Sequence, residues 1–204
     1  MSLAHDREPF REYMSVEDYL RLEEQAAEKH EYRDGYRYLR HAGPYGFETI
    51  AGARESHVRL VMRLARFVGM HLEDSPYVVY GADMRLATDD STYYYPDLFV
   101  TCDPHTGPTV LAQQDATVVV EVLSPGTEGD DRGEKFHDYQ RLPSLAEYLL
   151  LSTDEMHADL FRRGPEGLWV LYQSGPGEDL VLENLDFRIS VEHLYRGIDL
   201  GGSR

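Results

Sequence analysis

Two short apolar segments in the middle of the chain have the hydrophobic pattern of strands that are buried on both faces. Residues 98–102 and 117–123 are apolar or β-branched at odd and even positions alike, apart from one acid, Glu121. A second acid, Asp97, stands at the entry to the first segment. A carboxylate in such a place destabilises the fold unless it is paired or holds a cation. The pattern therefore indicates a site that the two acids share.

Helical periodicity predicts three helices around these segments. Ser15 begins a capping-box pattern, which predicts a helix from there to about Lys29. Apolar residues recur at helical spacing within residues 48–72 and predict a long helix with one buried stripe. A shorter helix is predicted over residues 133–141, with Asp131 as its N-terminal cap.

Turn signals separate the other segments. Asp34-Gly35 is a strong two-residue turn signal and predicts a β-hairpin between residues 31–33 and 36–39. Short β-branched or apolar runs bounded by turn residues predict further strands, at 77–80, 84–87, 147–152, 158–163, 168–173 and 180–183. A short helix that starts at Ser190 is predicted to follow them.

Length and composition indicate one soluble globular domain. The 204 residues are enough for a substantial core, and we place the domain at residues 14–200, after a loose leader of residues 1–13 and before a frayed tail. No apolar run approaches the ~20 residues of a membrane-spanning helix, and no signal-peptide pattern is present. The single cysteine, Cys102, cannot form an internal disulfide and is expected to be a packed core thiol. A reducing, cytoplasmic location is therefore predicted.

The net charge of −17 argues against a general polyanion binder. Nearly all the positive charge is arginine, which forms bidentate pairs with carboxylates or phosphates. Arg59, Arg63 and Arg66 step along one face of the long helix, and Arg132 precedes the shorter one. Two interpretations stay open for them: a solvated face paired with the many acids of this chain, or a surface that contacts phosphate groups.

Hydrolysis of a phosphodiester with a hard divalent cation needs oxygen ligands and a group that orients or deprotonates water. If the two apolar strands are neighbours, the carboxylates of Asp97 and Glu121 converge on one ion, and the backbone carbonyl of Val122 points the same way. The following helix offers three side chains on one face, because they are four residues apart: Asp131, Lys135 and Tyr139. From the residues alone, Lys135 is either part of the site or an ordinary salt-bridge partner of the acids.

The order and spacing of several short motifs resemble one known family. They are Tyr95-Pro96-Asp97, Glu121-Val122-Leu123-Ser124-Pro125, Asp131-Arg132-Gly133-Glu134-Lys135 with Tyr139, and Glu147-Tyr148. The start at Met14, the hairpin of residues 30–35 and His57 also fit. Together they resemble the Uma-two family of restriction-endonuclease-like proteins, which belongs to the Pro-Asp-(Asp/Glu)-X-Lys nuclease superfamily. The resemblance covers residues 14–195.

The resemblance implies an α/β (α+β) fold: a restriction-endonuclease-like mixed β-sheet flanked by helices, with extra antiparallel hairpins. It also implies Mg²⁺ or Mn²⁺ at Asp97 and Glu121. The superfamily usually has a lysine two residues after the glutamate, where this chain has Leu123. In the resembling family the following helix supplies that lysine, and Lys135 is the matching residue, expected to assist the attacking water.

Two further residues match the family with alternatives left open. Glu31 matches an acid that completes the site through water or a second ion, but an exposed acid beside a hairpin turn fits the sequence equally well. His57 is either a supporting residue of the site or a helix histidine satisfied by its neighbours.

The function implied by the resemblance is a Mg²⁺-dependent DNA endonuclease, with a homodimer as the expected assembly. Two other classes stay open: a non-catalytic interaction module that retains the nuclease fold, and a metal-dependent hydrolase of a small phosphoester. The acidic net charge favours these two, because a surface of this charge repels DNA outside the cleft.

Overall fold

A computed structural model of the chain describes residues 11–40, 55–107, 109–124 and 128–200. Several predictions fall outside these ranges: most of the leader, the first residues of the long helix, part of the loop after Ser124, and the tail from residue 201. In the described ranges, no helix is long and apolar enough to cross a membrane.

The described residues form five α-helices and fourteen strands. The helices are α1 (Val16–Glu23), α2 (Glu55–His71), α3 (Glu128–Arg132), α4 (Glu134–Tyr139) and α5 (Val191–Tyr195), with one 3₁₀ turn at Glu183–Leu185. The strands are β1 (Arg11–Tyr13), β2 (His30–Arg33), β3 (Tyr36–Leu39), β4 (Val78–Gly81), β5 (Arg85–Asp89), β6 (Thr92–Tyr94), β7 (Leu98–Thr101), β8 (Ala112–Gln113), β9 (Val118–Val122), β10 (Glu147–Leu151), β11 (Ala158–Arg163), β12 (Trp169–Ser174), β13 (Asp179–Leu182) and β14 (Phe187–Ser190).

The strands assemble into two six-stranded sheets and one separate pair. The first sheet has the order β1-β3-β2-β6-β5-β8, the second has the order β12-β11-β10-β9-β7-β4, and β13 pairs with β14. Both large sheets are mixed, since β5 and β8 run parallel in the first and β9 and β10 run parallel in the second. The predicted β2–β3 hairpin is confirmed, with Asp34 and Gly35 both at positive φ.

Strand β9 contributes to two cores because its side chains alternate between the faces of the second sheet. Val118, Val120 and Val122 face a cluster that includes Leu60, Leu64 and Val68 of α2 and residues of α5, β13 and β14. Val119 and Leu123 face the other cluster, which includes Tyr139 of α4 and Tyr38, Leu86 and Tyr94 of the first sheet. Glu121 follows Val119 by two residues in the strand and therefore points to the same face, toward α4 and the first sheet.

Several boundaries differ from the sequence prediction, and local contacts explain most of them. Helix α1 ends at Glu23 rather than near Lys29, because the Glu23 carboxylate accepts a hydrogen bond from the His30 backbone N–H at 2.7 Å and turns the chain into β2. Residues 11–13, predicted as part of the leader, pair with β3 as strand β1. Strands β6 and β14 were not predicted; both are short second strands of hairpins.

Two single-residue predictions were wrong. Cys102 is exposed rather than packed in the core, because β7 ends at Thr101 and the chain leaves the sheet there. Asp131 does not cap the helix that carries Lys135, since it lies inside α3. The cap position of α4 is Gly133, which has no side chain to make such a bond.

Candidate active site

Asp97 and Glu121 lie side by side on the same face of the second sheet. Strands β7 and β9 pair antiparallel with Leu98 opposite Val120, so the next step of the register places Asp97 opposite Glu121. The Asp97 backbone N–H donates a hydrogen bond to the Glu121 Oε2 at 3.2 Å. Both residues are buried, with 4% and 3% of their surface exposed. The predicted neighbouring strands are thus confirmed, and the two acids share one face.

In the part of the chain that the structure describes, three donors contact the Asp97 carboxylate. Arg40 donates to Oδ1 at 2.7 Å, while the Val122 backbone N–H at 2.8 Å and the His57 Nε2 at 3.0 Å lie on Oδ2. Burial alone would raise the pKa of Asp97, but the hydrogen bond and charge of His57, with the Arg40 guanidinium and the Val122 amide, lower it to about 2. Asp97 is therefore ionised throughout the neutral range.

Glu121 has a different environment. Its Oε1 accepts a hydrogen bond from the Tyr139 hydroxyl at 3.0 Å and lies 3.6 Å from the Lys135 Nζ. Burial raises the pKa of Glu121 well above its usual range, and although Lys135 opposes this, the nearby Asp131 and Asp97 add to it. The pKa values of the two neighbouring carboxyl groups are therefore shifted in opposite directions, as happens when like charges share a small buried site.

Lys135 stands at the centre of a group of acids. Its Nζ lies 3.2 Å from Asp131 Oδ1, 3.4 Å from Glu31 Oε1 and 3.6 Å from Glu121 Oε1, and its side chain is 5% exposed. Burial opposes the charged form, but the surrounding carboxylates outweigh it and raise the pKa of Lys135 well above its usual value. Asp131, Lys135 and Tyr139 reach the same site, but not from one helix as predicted, since Asp131 lies in α3 and the other two lie in α4. Leu123 packs in the core.

Glu31 is fully buried in strand β2, so the alternative of an exposed acid beside the turn is wrong. Its Oε1 accepts a hydrogen bond from the Tyr95 backbone N–H at 3.2 Å, whereas no group in the described part of the chain donates one to Oε2. Burial raises the pKa of Glu31 to about 7, in spite of Lys135 and Arg40 nearby. Its place beside Lys135 brings the first sheet into contact with the site.

A cavity of about 30 Å³ opens between these groups, which is enough for an ion or one or two water molecules. It is lined by Arg40, His57, Asp97, Glu121, Val122, Ser124, Asp131 and Lys135. In the described residues, no three His, Cys, Asp or Glu side chains are arranged to hold a metal. The donor set nevertheless fits Mg²⁺ or Mn²⁺, because Mg²⁺ commonly takes one or two carboxylates and keeps several waters.

The predicted substrate-binding arginines do not line this cavity. Arg59 pairs with Glu55, and Arg63 donates to the backbone carbonyls of His193 and Leu194, which fastens α2 to α5. Arg132 pairs with Glu128 and, at 2.6 Å, with Asp159. Arg66 is exposed on α2. Contact of these four arginines with a substrate stays a prediction.

Sequence reasoning missed Arg40, which donates a hydrogen bond to Asp97 Oδ1 at 2.7 Å. Its backbone N–H donates to the Lys29 carbonyl at 3.0 Å, so the end of the β2–β3 hairpin fixes its position. The pairing joins residues that are 57 positions apart, and no local pattern reports such a contact. The available signal was the hairpin itself, whose acid Glu31 was already a candidate for the same site.

Comparisons with known proteins show which family the chain matches. Residues 16–193 match the family model Uma2 (Uma-two), described as "Putative restriction endonuclease". Two proteins of Synechocystis sp., both described as uncharacterized, are similar along most of their length. The protein slr1290 is 32% identical over 186 residues, which is 91% of this chain and 93% of its own. The protein sll1609 is 29% identical over 180 residues, which is 87% of this chain and 93% of its own.

A solved structure shares the fold. It is described as a putative nuclease belonging to DUF820 from Anabaena variabilis, and it superimposes with a TM-score of 0.68. The match covers 89% of this chain and 97% of that one at 12% identity. The predicted fold class, a nuclease-like α+β fold with mixed sheets and flanking helices, is therefore confirmed.

Proposed function

Because the chain belongs to the Uma2 family, we propose that it is a Mg²⁺- or Mn²⁺-dependent endonuclease that hydrolyses phosphodiester bonds of DNA. One observation carries the proposal: Asp97, Glu121 and Lys135 come from a loop, a strand and a helix, yet all three line one cavity. Burial of several neighbouring carboxylates destabilises a fold unless the charges are compensated, so this cluster is better explained by a function than by stability.

Each side chain at the cavity has a distinct part in this reaction. Asp97 and Glu121 would hold the cation, with the Val122 carbonyl as a further oxygen ligand. The cation, when bound, would lower the pKa of a water ligand and offset the charge that develops on the phosphate. The Lys135 ammonium would donate a hydrogen bond to the attacking water and hold it beside the phosphorus atom.

Supporting residues keep these groups in place. The Tyr139 hydroxyl orients the Glu121 carboxylate, and His57 holds the Asp97 carboxylate at Oδ2. Asp131 and Glu31 flank the Lys135 ammonium, so they fix its position and favour its charged form. DNA as the substrate, a homodimeric assembly and a cytoplasmic location are further parts of this proposal.

The net charge of −17 favours a second candidate, hydrolysis of a small phosphoester. A small substrate approaches a cavity of this size without an extended basic surface. Several arginines are also engaged elsewhere: Arg63 with backbone carbonyls and Arg132 with two acids. A small substrate avoids the repulsion that DNA meets on an acidic surface.

A cleavage assay separates these candidates. The purified protein is incubated at low salt with supercoiled plasmid, single-stranded DNA and a nitrophenyl phosphodiester, with Mg²⁺, Mn²⁺ or EDTA. We expect metal-dependent nicking of DNA that Asp97→Ala abolishes and the exposed control Asp103→Asn leaves unchanged. Cleavage of the small ester alone would support the second candidate. The absence of any cleavage with wild-type protein would instead support a non-catalytic module.

A further inference from the structure

The two carboxylate oxygens of Asp97 accept different numbers of hydrogen bonds from the described residues. A carboxylate has about four acceptor positions, two on each oxygen. Both positions on Oδ2 are used, by the Val122 amide at 2.8 Å and the His57 Nε2 at 3.0 Å. Among the residues that the structure describes, Oδ1 accepts one bond, from Arg40 at 2.7 Å. A cation bound by Asp97 therefore has to use Oδ1, the oxygen that the arginine contacts.

A divalent cation and a guanidinium on one carboxylate oxygen repel each other. The Arg40 side chain is 10% exposed and lies in the field of Asp97, Glu121 and Glu31, where little solvent screens that repulsion. Arg40 stays charged under all conditions in which proteins fold. Metal binding at Oδ1 therefore weakens the Arg40–Asp97 pair rather than deprotonating the arginine.

A phosphate group of the substrate is a suitable new partner for the displaced guanidinium. The Arg40 backbone N–H donates to the Lys29 carbonyl at the end of the hairpin. The side chain can therefore change rotamer while the residue stays at the rim of the cavity. In the described part of the chain, Arg40 is the single arginine that lines the cavity. A phosphate presents paired oxygens that match the forked guanidinium donors, and a phosphodiester at this site brings those oxygens to the rim.

We propose that Arg40 is a substrate-contacting residue held in reserve: it occupies the metal-binding oxygen of Asp97 until the cation displaces it, and it then binds the phosphate of the substrate. This inference rests on the proposed function, and it adds that Arg40 opposes metal binding and favours substrate binding. A residue that is merely structural would weaken both or neither, so the opposite signs distinguish the proposal.

Three variants test it. Arg40→Gln removes the charge and keeps a polar side chain, whereas Arg40→Lys keeps the charge. Arg188→Gln is the matched control, because Arg188 is an exposed arginine of β14 that pairs with Asp179, and its loss changes the net charge of the chain equally. Circular dichroism establishes that each variant is folded. Calorimetry measures the Kd of Mg²⁺ and Ca²⁺ without DNA, and fluorescence anisotropy measures DNA binding with Ca²⁺.

We expect Arg40→Gln to bind Mg²⁺ about tenfold more tightly than wild type and DNA about tenfold more weakly. Arg40→Lys and Arg188→Gln should bind the metal as wild type does. Equal metal affinity of wild type and Arg40→Gln would overturn the inference while leaving the metal site intact. Tighter metal binding with unchanged DNA affinity would overturn the substrate contact. If neither protein binds a metal, the proposed function fails and this inference fails with it.

Discussion

The Lys135 Nζ lies 3.6 Å from the Glu121 Oε1, although the lysine is on helix α4 and the glutamate is inside strand β9. The usual superfamily position, two residues after the glutamate, holds Leu123, which is buried in the core. The amine thus reaches the same carboxylate from a different element. An ammonium group can therefore lie beside this glutamate without coming from the same strand.

Replacement of Lys135 by Met should lower the rate of metal-dependent cleavage by about 10²–10³-fold, the range for loss of one positioned hydrogen-bond donor. The control is Lys29→Met, since Lys29 is the other lysine of the chain and pairs with Asp83 away from the cavity. Single-turnover cleavage at saturating metal measures the effect. A Lys135→Met protein that is folded and cleaves at the wild-type rate would remove Lys135 from the mechanism.

Metal ions should stabilise the fold, because a cation at Asp97 and Glu121 binds the native state preferentially. Thermal unfolding is measured in EDTA and in millimolar Mg²⁺ or Mn²⁺. The wild-type midpoint should rise with metal concentration, and the Asp97→Ala midpoint should not. A rise of equal size in both proteins would indicate binding elsewhere on this acidic chain.

The metal-free protein should lose stability as the pH rises from about 4.5 to about 7, because Glu31 ionises less readily when folded than when unfolded. Burial raises the pKa of Glu31 to about 7 in the folded state, compared with about 4.3 in an unfolded chain. Within this window the folded state binds more protons than the unfolded state, so the free energy of unfolding falls as the pH rises.

Comparison with Glu31→Gln isolates this contribution, because the amide does not titrate. Denaturant unfolding in EDTA is followed at several pH values for both proteins. The free energy of unfolding of the variant minus that of wild type should increase from pH 4.5 to 7 and then level off. A constant difference over that range would show that Glu31 ionises alike in both states.

Gly35→Ala should destabilise the fold by about 1–2 kcal/mol. Gly35 has a φ of +87° in the β2–β3 turn, and an added Cβ would lie 2.7 Å from the Tyr13 ring of β1. The matched substitution is Gly69→Ala in α2, where no described atom lies within 4 Å of the new Cβ apart from the adjoining residues and the helix backbone. That change should stabilise the helix by about 0.5–1 kcal/mol. Denaturant midpoints measure both, and shifts of the same sign would contradict the structural argument.

The sequence could predict the parts of the site that break a local pattern. Glu121 is an acid within one apolar run, and Asp97 precedes another such run. Their burial on neighbouring strands could therefore be predicted. Lys135 followed from helical spacing together with the family resemblance. In each case the informative pattern spans only a few residues.

The features that the sequence did not predict depend mostly on contacts between distant segments. Glu31 lies in a short hairpin, and the alternation of apolar and polar residues there does not show that β6 and α4 cover it. Its burial could therefore not be predicted. Arg40 reaches Asp97 across the chain, and Asp131 needed knowledge that α3 forms before α4. Cys102 was assigned to a strand that ends one residue earlier, and strand ends are set by pairing rather than by the residue itself.

The alternation of side chains along β9 has a consequence for insertions and deletions. Val118, Val120 and Val122 pack toward α2, while Glu121 faces α4. A deletion of one residue between Val118 and Glu121 would exchange the two faces, turning the carboxylate toward Leu60 and Leu64 and a valine toward Tyr139. A one-residue deletion inside this strand would therefore disrupt the core and the candidate active site together.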